Sequence, residues 1–360
     1  MNASVWVGFV KEEWLLFLSL LGTLSTSLYL HRFPGYSASD FETLSILFIL
    51  FTLTAGLQKH QVLTKMAAGI ERGRFIPAKL VLATFFFSRV VTNDVALLAV
   101  VPLTLALRVD RKEWLVILEA LAANAGSALS PFGNPQNLFL YWFYQVPFSQ
   151  FVKTIAPFSL LFLLLTLGGA LLVDTRRSPS VRESSPDTVD LSPAAYFYVG
   201  ALLVLLLVIL RLLPFAVGWG VLLGVAILER GRLRADYALL VTFALFFGFT
   251  DNLRVLLAAV LVHPHHVFLL SSLLSQVISN VPAALLLADF TPRWQALLWG
   301  VSVGGFGNLI GSLANLITYR LYAQQEKKQA RLFLLKFHVT SYVAFFIGWA
   351  AYFLDVRIAS

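Results

Sequence analysis

The sequence predicts an all-α polytopic membrane protein with inverted-topology repeats, about nine crossing helices (two of them discontinuous) and two re-entrant hairpins. Three observations carry this expectation. The 360 residues are 58% hydrophobic and 13% charged, with a mean hydropathy of +0.79, whereas a soluble domain carries about 25% charged residues. Apolar runs long enough to cross a bilayer recur from end to end. Two polar motifs, "SRVVTNDVALL" from Ser88 and "SQVISNVPAALL" from Ser275, interrupt apolar sequence in the same manner.

Crossing segments are read in chain order at 14–31, 41–58, 113–140, 153–174, 194–213, 215–229, 235–252, 293–318 and 332–354. The first could pass for a signal-peptide core, but Lys11 is followed by Glu12 and Glu13. That basic flank is poor, and the segment is read as a retained span. The stretches 77–107 and 264–290 each kink at a polar centre. Their arms of about 15 residues give roughly 22 Å of helix, short of a ~30 Å hydrocarbon core. Each is therefore read as a re-entrant hairpin. The long polar stretch 175–192, "TRRSPSVRESSPDTVDLS", reads as a cytoplasmic linker between repeat 1 (1–174) and repeat 2 (193–360).

Charge placement supports the layout. With a cytoplasmic N-terminus, twenty of the 27 basic residues fall on the cytoplasmic face, six on the other, and Arg89 inside the first hairpin. This is the positive-inside bias of a bacterial-type inner or plasma membrane. It accounts for the net charge of +8 without invoking nucleic acid. Five crossings separate the hairpins, so the second enters from the opposite face and the repeats are inverted. The chain has no cysteine, which excludes disulfides and thiolate sites. The "HPHH" tract, with His263, His265 and His266, reads as a solvated loop turn.

The repeat holds residue by residue. Ser88, Thr92 and Asn93 match Ser275, Ser279 and Asn280 at an offset of 187, and Gly133 and Asn137 match Gly311 and Asn315 at an offset of 178. Each hairpin is followed by a helix that breaks, at "GSALSPFGNPQNL" and "GGFGNLIGSLANL". Glycine, proline and asparagine unwind a helix and free backbone groups that hydrocarbon cannot satisfy. Freed carbonyls, hydroxyls and Asn oxygens suit an alkali cation, while helix N-termini at the breaks favour an anion. Asp94 at the first tip is either a proton or cation pathway residue or a helix-dipole cap. Arg89 reads as its partner or as a residue that raises local anion affinity, and with Asp94 and Glu119 as a candidate for coupling. Glu119 reads as a relay carboxylate or as packing against a loop lysine, and Asp251 and Asp289 as interfacial. No metal-ligand pair, paired aspartates or hydrolase Ser/His arrangement suggests an enzyme.

With "TNDVALLAVVPLT", "NAGSALSPFGNPQNL", "SQVISNVP" and "GGFGNLIGSLANL", the chain resembles the ArsB/NhaD ion transporter superfamily. That superfamily includes arsenite, citrate and dicarboxylate permeases and sodium–proton antiporters, and the likeness is nearest to its small YbiR-type members. The resemblance implies a transport site made of one half-site from Ser88, Thr92, Asn93 and the loop Gly133, Asn134, Pro135 and Asn137. The other half-site comprises Ser275, Ser279, Asn280, Gly311, Ser312 and Asn315. It further implies Na+ at Ser88, Thr92, Asn93 and Gly133 and at Ser275, Ser279, Asn280 and Gly311. A homodimer in the lipid bilayer is implied as well. The chain departs from the Ser-Asn-Thr tips of the sodium-coupled dicarboxylate branch, with Thr92 and Asp94 in the first tip and Val281 in the second. The expectation is a secondary transporter for a small anion, working by alternating access with H+ or Na+ as coupling ion and no other cofactor. The alternative is a cation–proton antiporter of the same fold.

Overall fold

The computed structural model describes residues 13–68, 75–107, 111–173, 191–256 and 264–359. Most of the expected linker 175–192, His263 and several of the loop cations counted above lie outside the described residues. Among those described, the chain forms α-helices and one short 3-10 turn, with no strand. The first unit comprises α1 (Trp14–Leu30), α2 (Ala38–Lys59), α3 (Val62–Ala68), α4 (Ile76–Val90), α5 (Asn93–Ala106), α6 (Lys112–Ala128), α7 (Pro135–Phe143) and α8 (Phe148–Leu171). It is followed by α9 (Pro193–Ile209), α10 (Phe215–Leu228), α11 (Tyr237–Leu256), α12 (Pro264–Ile278), α13 (Asn280–Ala288), α14 (Trp294–Gly304), α15 (Leu313–Gln325) and α16 (Ala330–Ala359).

Local chemistry sets most boundaries. Ser37 and Asp40 form a reciprocal capping box at the start of α2, satisfying two otherwise orphaned N–H groups. Ser192 accepts from the Ala195 amide and caps α9, and Pro135 and Pro193 occupy first helical positions, where no N–H is needed. The expected span 113–140 is two helices, α6 and α7, and 293–318 is likewise α14 and α15. His265 and His266 lie in the first turn of α12 rather than in a solvated loop. His265 packs against the Phe353 ring at 5.5 Å. The short helix α3 was not anticipated.

Four helices, Ala38–Lys59, Phe148–Leu171, Tyr237–Leu256 and Lys327–Asp355, are long and apolar enough to cross a membrane. Shorter apolar helices at α1, α9 and α10 stand beside them. Large apolar side chains remain exposed in stripes, such as Leu332, Leu335, Val339, Val343 and Phe346 along α16. The three- and four-residue spacing keeps them on one helical face, the pattern expected against lipid rather than water.

Packing repeats with the sequence. Hairpin arm α4 lies on α6 and hairpin arm α12 on α14, while α7 crosses to α13 and α15 crosses to α5. Each broken helix therefore rests its second piece on the opposite hairpin. Ion pairs close helix ends: Arg32 with Asp251, Lys336 with Glu113 at 2.7 Å and Lys59 with Glu229 at 2.6 Å. The Lys59 ammonium donates to both Glu229 carboxylate oxygens. Arg211 donates to the Tyr141 carbonyl at 2.8 Å and lies 4.5 Å over its ring.

Candidate functional site

A cavity of about 360 Å³ opens among the two hairpin tips and the two helix breaks. Its lining includes Asn93, Asp94, Pro135, Gln136, Ser279, Asn280, Ser312 and Leu313. Residues Glu13, Trp14, Asp236, Leu239 and Arg320, contributed by α1, the start of α11 and α15, also line it. Asn93, Pro135, Asn280 and Leu313 are each the first residue of a helix, so four helix N-termini face one space.

Backbone bonds hold the tips on the breaks. The Asn93 amide donates to the Gly133 carbonyl at 3.1 Å, and the Asn280 amide donates to the Gly311 carbonyl at 3.0 Å. The glycine carbonyls expected to be free for a cation thus each accept one hydrogen bond. Asn137 and Asn315 lie behind the breaks, both fully buried. Asn137 Nδ2 donates to the carbonyls of Ser127, Ala128 and Ser130, and Asn315 Nδ2 to those of Gly305 and Asn308. These side chains take up carbonyls that the unwound turns leave without a helical partner. Asn134 caps α7 by accepting from the Asn137 amide at 2.9 Å.

Ser88 and Ser275, expected as ligands, stand away from the cavity against packing glycines. Ser88 Oγ donates to the Phe85 carbonyl and Ser275 Oγ to the Ser271 carbonyl, and neither lines the cavity. Each abuts a glycine, Gly126 or Gly304, whose added Cβ would lie 2.5 Å from the serine Oγ. Thr92 is buried at the N-cap of α5 without a side-chain cap bond, whereas its counterpart Ser279 reaches the cavity.

Arg89 forms no ion pair with Asp94 among the described residues; its guanidinium lies 5.7 Å from the Phe86 ring. Asp94 Oδ1 is buried with no hydrogen-bond partner. Glu119 is fully buried and accepts from Thr104 Oγ1, not from a loop lysine. Lys112, the nearest cation at the end of its helix, donates to the Leu105 carbonyl. Asp251 pairs with Arg32 and the Gly35 amide, and Asp289 stands 4.0 Å from Arg254, both at helix ends.

The residue that joins the half-sites is Asn124, which sequence reasoning did not single out. Its Oδ1 accepts from Asn93 Nδ2 at 3.2 Å and Ser312 Oγ at 3.0 Å, and its Nδ2 donates to Asn315 Oδ1 at 2.9 Å. One amide therefore ties the first hairpin tip, the first broken helix and the second break together. Gln276 is a second omission. It bonds the carbonyls of Gly304 and Phe306 and the Asn308 amide, bracing the second break. The usable signals were an amide in the apolar interior of α6 and, for Gln276, its position 187 residues after Arg89. Asp236, Arg320 and Gln136 carried no comparable sequence signal.

An all-α bundle with apolar outer faces and an open cavity where unwound turns meet fits a membrane transport protein. The family model described as CitMHS, citrate transporter, matches residues 13–304, and the chain belongs to this family. The chain is 32% identical to the uncharacterized transporter MJ0456 of Methanocaldococcus jannaschii over 298 residues, covering 78% of this chain and 81% of that one. It is 36% identical to the inner membrane protein YbiR of Escherichia coli over 307 residues, covering 79% and 81%. A shorter likeness, 29% over 132 residues and covering 34% and 27%, relates it to the silicon efflux transporter LSI3 of Oryza sativa subsp. japonica. These likenesses fit the ArsB/NhaD resemblance and identify a transporter rather than an enzyme.

Proposed function

We propose that the chain is a secondary active transporter that moves a small anion by alternating access, with coupling to H+ or Na+. The meeting of four helix N-termini at one cavity carries the reading. Each terminus presents roughly half a positive charge. Four together outweigh Asp94, the one carboxylate lining the cavity at the breaks, and Glu13 and Asp236 are partly offset by Arg320. The volume suits a small solute. The family described for citrate and a relative named for silicon efflux support an oxygen-rich cargo.

The two repeats are inverted in this reading, and the N-terminus is cytoplasmic. The cavity residues Glu13, Trp14, Asp236 and Arg320 belong to segments that the positive-inside bias places on the cytoplasmic side. This conformation is then the cytoplasm-open one, and the opposite state exposes the same four breaks to the outside. Asp94 serves as the coupling group: a proton on its carboxyl removes the negative charge that opposes the anion.

The test is uptake into proteoliposomes of labelled citrate, arsenite, sulfate and silicic acid, under an imposed pH or Na+ gradient. One of these should accumulate against its own gradient, and Asp94→Asn should retain uptake while losing its response to the pH gradient. Absence of accumulation under either gradient, for every probe, sinks the anion reading. The unpartnered Asp94 Oδ1 also supports a second reading, exchange of Na+ for H+ at this carboxylate. A fluorescent pH probe inside the same vesicles separates the two, since that exchange moves protons without any anion and is abolished in Asp94→Asn.

A further inference from the structure

The two halves share the bonds that tie each tip to its break. The Asn93–Gly133 and Asn280–Gly311 backbone bonds correspond, and so do the bonds from Asn137 and Asn315 to the carbonyls of their own breaks. The bond from Asn124 on α6 to Asn315 Oδ1 on α15 should likewise have a counterpart from α14 to α7. The residue 178 positions after Asn124 is Ser302, and its partner by the same rule is Asn137. Both are buried, α14 and α7 pack on each other, and Ser302 Oγ and Asn137 Oδ1 both lack a hydrogen-bond partner. Among the buried polar atoms left without partners are thus the two that the symmetry pairs.

The chemistry of the gap follows from the shorter side chain. Serine ends one bond, about 1.3 Å, before the position of an asparagine amide nitrogen. Carried over by the repeat symmetry onto the 2.9 Å Asn124–Asn315 bond, that shortfall corresponds to roughly 4 Å between the two oxygens, beyond hydrogen-bond range and in keeping with the absence of a partner on either atom. A hard cation takes oxygen ligands at about 2.3–2.6 Å when its radius is that of Ca2+, and Na+ is of similar radius. Two oxygens flanking such an ion stand roughly 4 Å or more apart. Asn137 cannot rotate to offer its nitrogen, because Nδ2 is held by three carbonyls. Ser302 lies in the last turn of α14, where the helix dipole favours a cation. The carbonyls of Ser127 and Ala128 at the end of α6 add negative potential, against the opposing N-terminal turn of α7.

We propose that Ser302 Oγ and Asn137 Oδ1 bracket a monovalent-cation site, of Na+ class, in the first half-site, at the place that the Asn124 amide fills in the second. It deepens the transport reading by giving the coupling ion a location, and it rests on that reading only for its role in coupling. The experiment is thermal unfolding of the purified full chain in detergent, titrating NaCl or LiCl against choline chloride at constant ionic strength, with no anion cargo. Wild-type protein should gain stability saturably with Na+ or Li+. Ser302→Ala should weaken the apparent affinity at least tenfold. Ser302→Asn, which supplies the missing amide, should abolish the response and match or exceed the wild-type midpoint in choline. No cation response in wild type would overturn the proposal and leave a water in the gap, as would an unchanged response in both variants. If Ser302→Asn does not fold, Ser302→Ala alone decides. A cation response here with no anion uptake in vesicles would sink the transport reading and keep the site.

Discussion

The two half-sites share a backbone plan but distribute their constraints differently. In the second half, Gln276 reaches from hairpin arm α12 to three backbone groups of the break. In the first, the corresponding Arg89 leans away onto Phe86, and only its carbonyl is used, accepting from Ser130 Oγ at 2.8 Å. The tips differ too. Thr92 has ordinary extended backbone at φ −84°, ψ 155°, whereas Ser279 sits at φ +76°, ψ 157°, a region that glycine alone occupies without strain. The tips differ in charge as well: Asp94 stands in the first where the neutral Val281 stands in the second. One half is thus braced and strained, and the other is lightly braced and charged. Two copies of one motif need not do the same work, and a site shared between them can assign coupling to one and rigidity to the other.

The largest effect should come from the glycines on which the hairpin arms rest. A Cβ on Gly126 would fall 2.2 Å from the Phe85 carbonyl oxygen, whereas on Gly304 the nearest atoms are the Ser275 side chain at 2.5 Å. Gly126→Ala should therefore cost about 1–3 kcal/mol or more in thermal unfolding, and Ser88→Gly should not restore it. Gly304→Ala should be partly rescued by Ser275→Gly, because there the obstacle is a side chain. Equal rescue on both sides would break the proposed difference.

Next in size is the brace. Gln276→Ala leaves buried backbone groups of the second break unpaired and should destabilise by about 1–3 kcal/mol. Arg89→Ala removes a ring contact worth about 0.5–1 kcal/mol. Comparable shifts in the denaturation midpoints of the two variants would show the halves to be equally braced. The smallest effect should be of opposite sign in the two tips. Ser279→Gly relieves backbone strain and should raise stability by about 1 kcal/mol, while Thr92→Gly should lower it by roughly 0.5–1 kcal/mol through lost chain entropy. A loss of stability in Ser279→Gly would place a side-chain contact above the strain.

Much of this arrangement was legible beforehand. The positions of the hairpins, both helix breaks and the Ser-Asn tips followed from glycine, proline and asparagine falling at fixed offsets inside apolar runs. The cap role of Asn134 and the carbonyl-binding role of Asn137 and Asn315 are new, because a motif shows residue type but not which neighbouring groups it satisfies. Ser88 and Ser275 show the same limit in reverse. A Ser one turn before a polar tip looks like a ligand in a string of letters, but on a helix facing glycine it is a packing surface.

The sequence by itself determined the solvent of this protein, its helical elements and the duplication of its polar breaks, since hydropathy and backbone-breaking residues act locally and leave a periodic record. Only the tertiary structure decided that Asn124 joins the halves, that α7 and α15 each cross to the opposite hairpin, and that Ser302 Oγ and Asn137 Oδ1 are left without partners. Those outcomes depend on which side chains meet across helices distant in sequence, through hydrogen bonds whose range is about 3 Å, and no local pattern encodes such a distance.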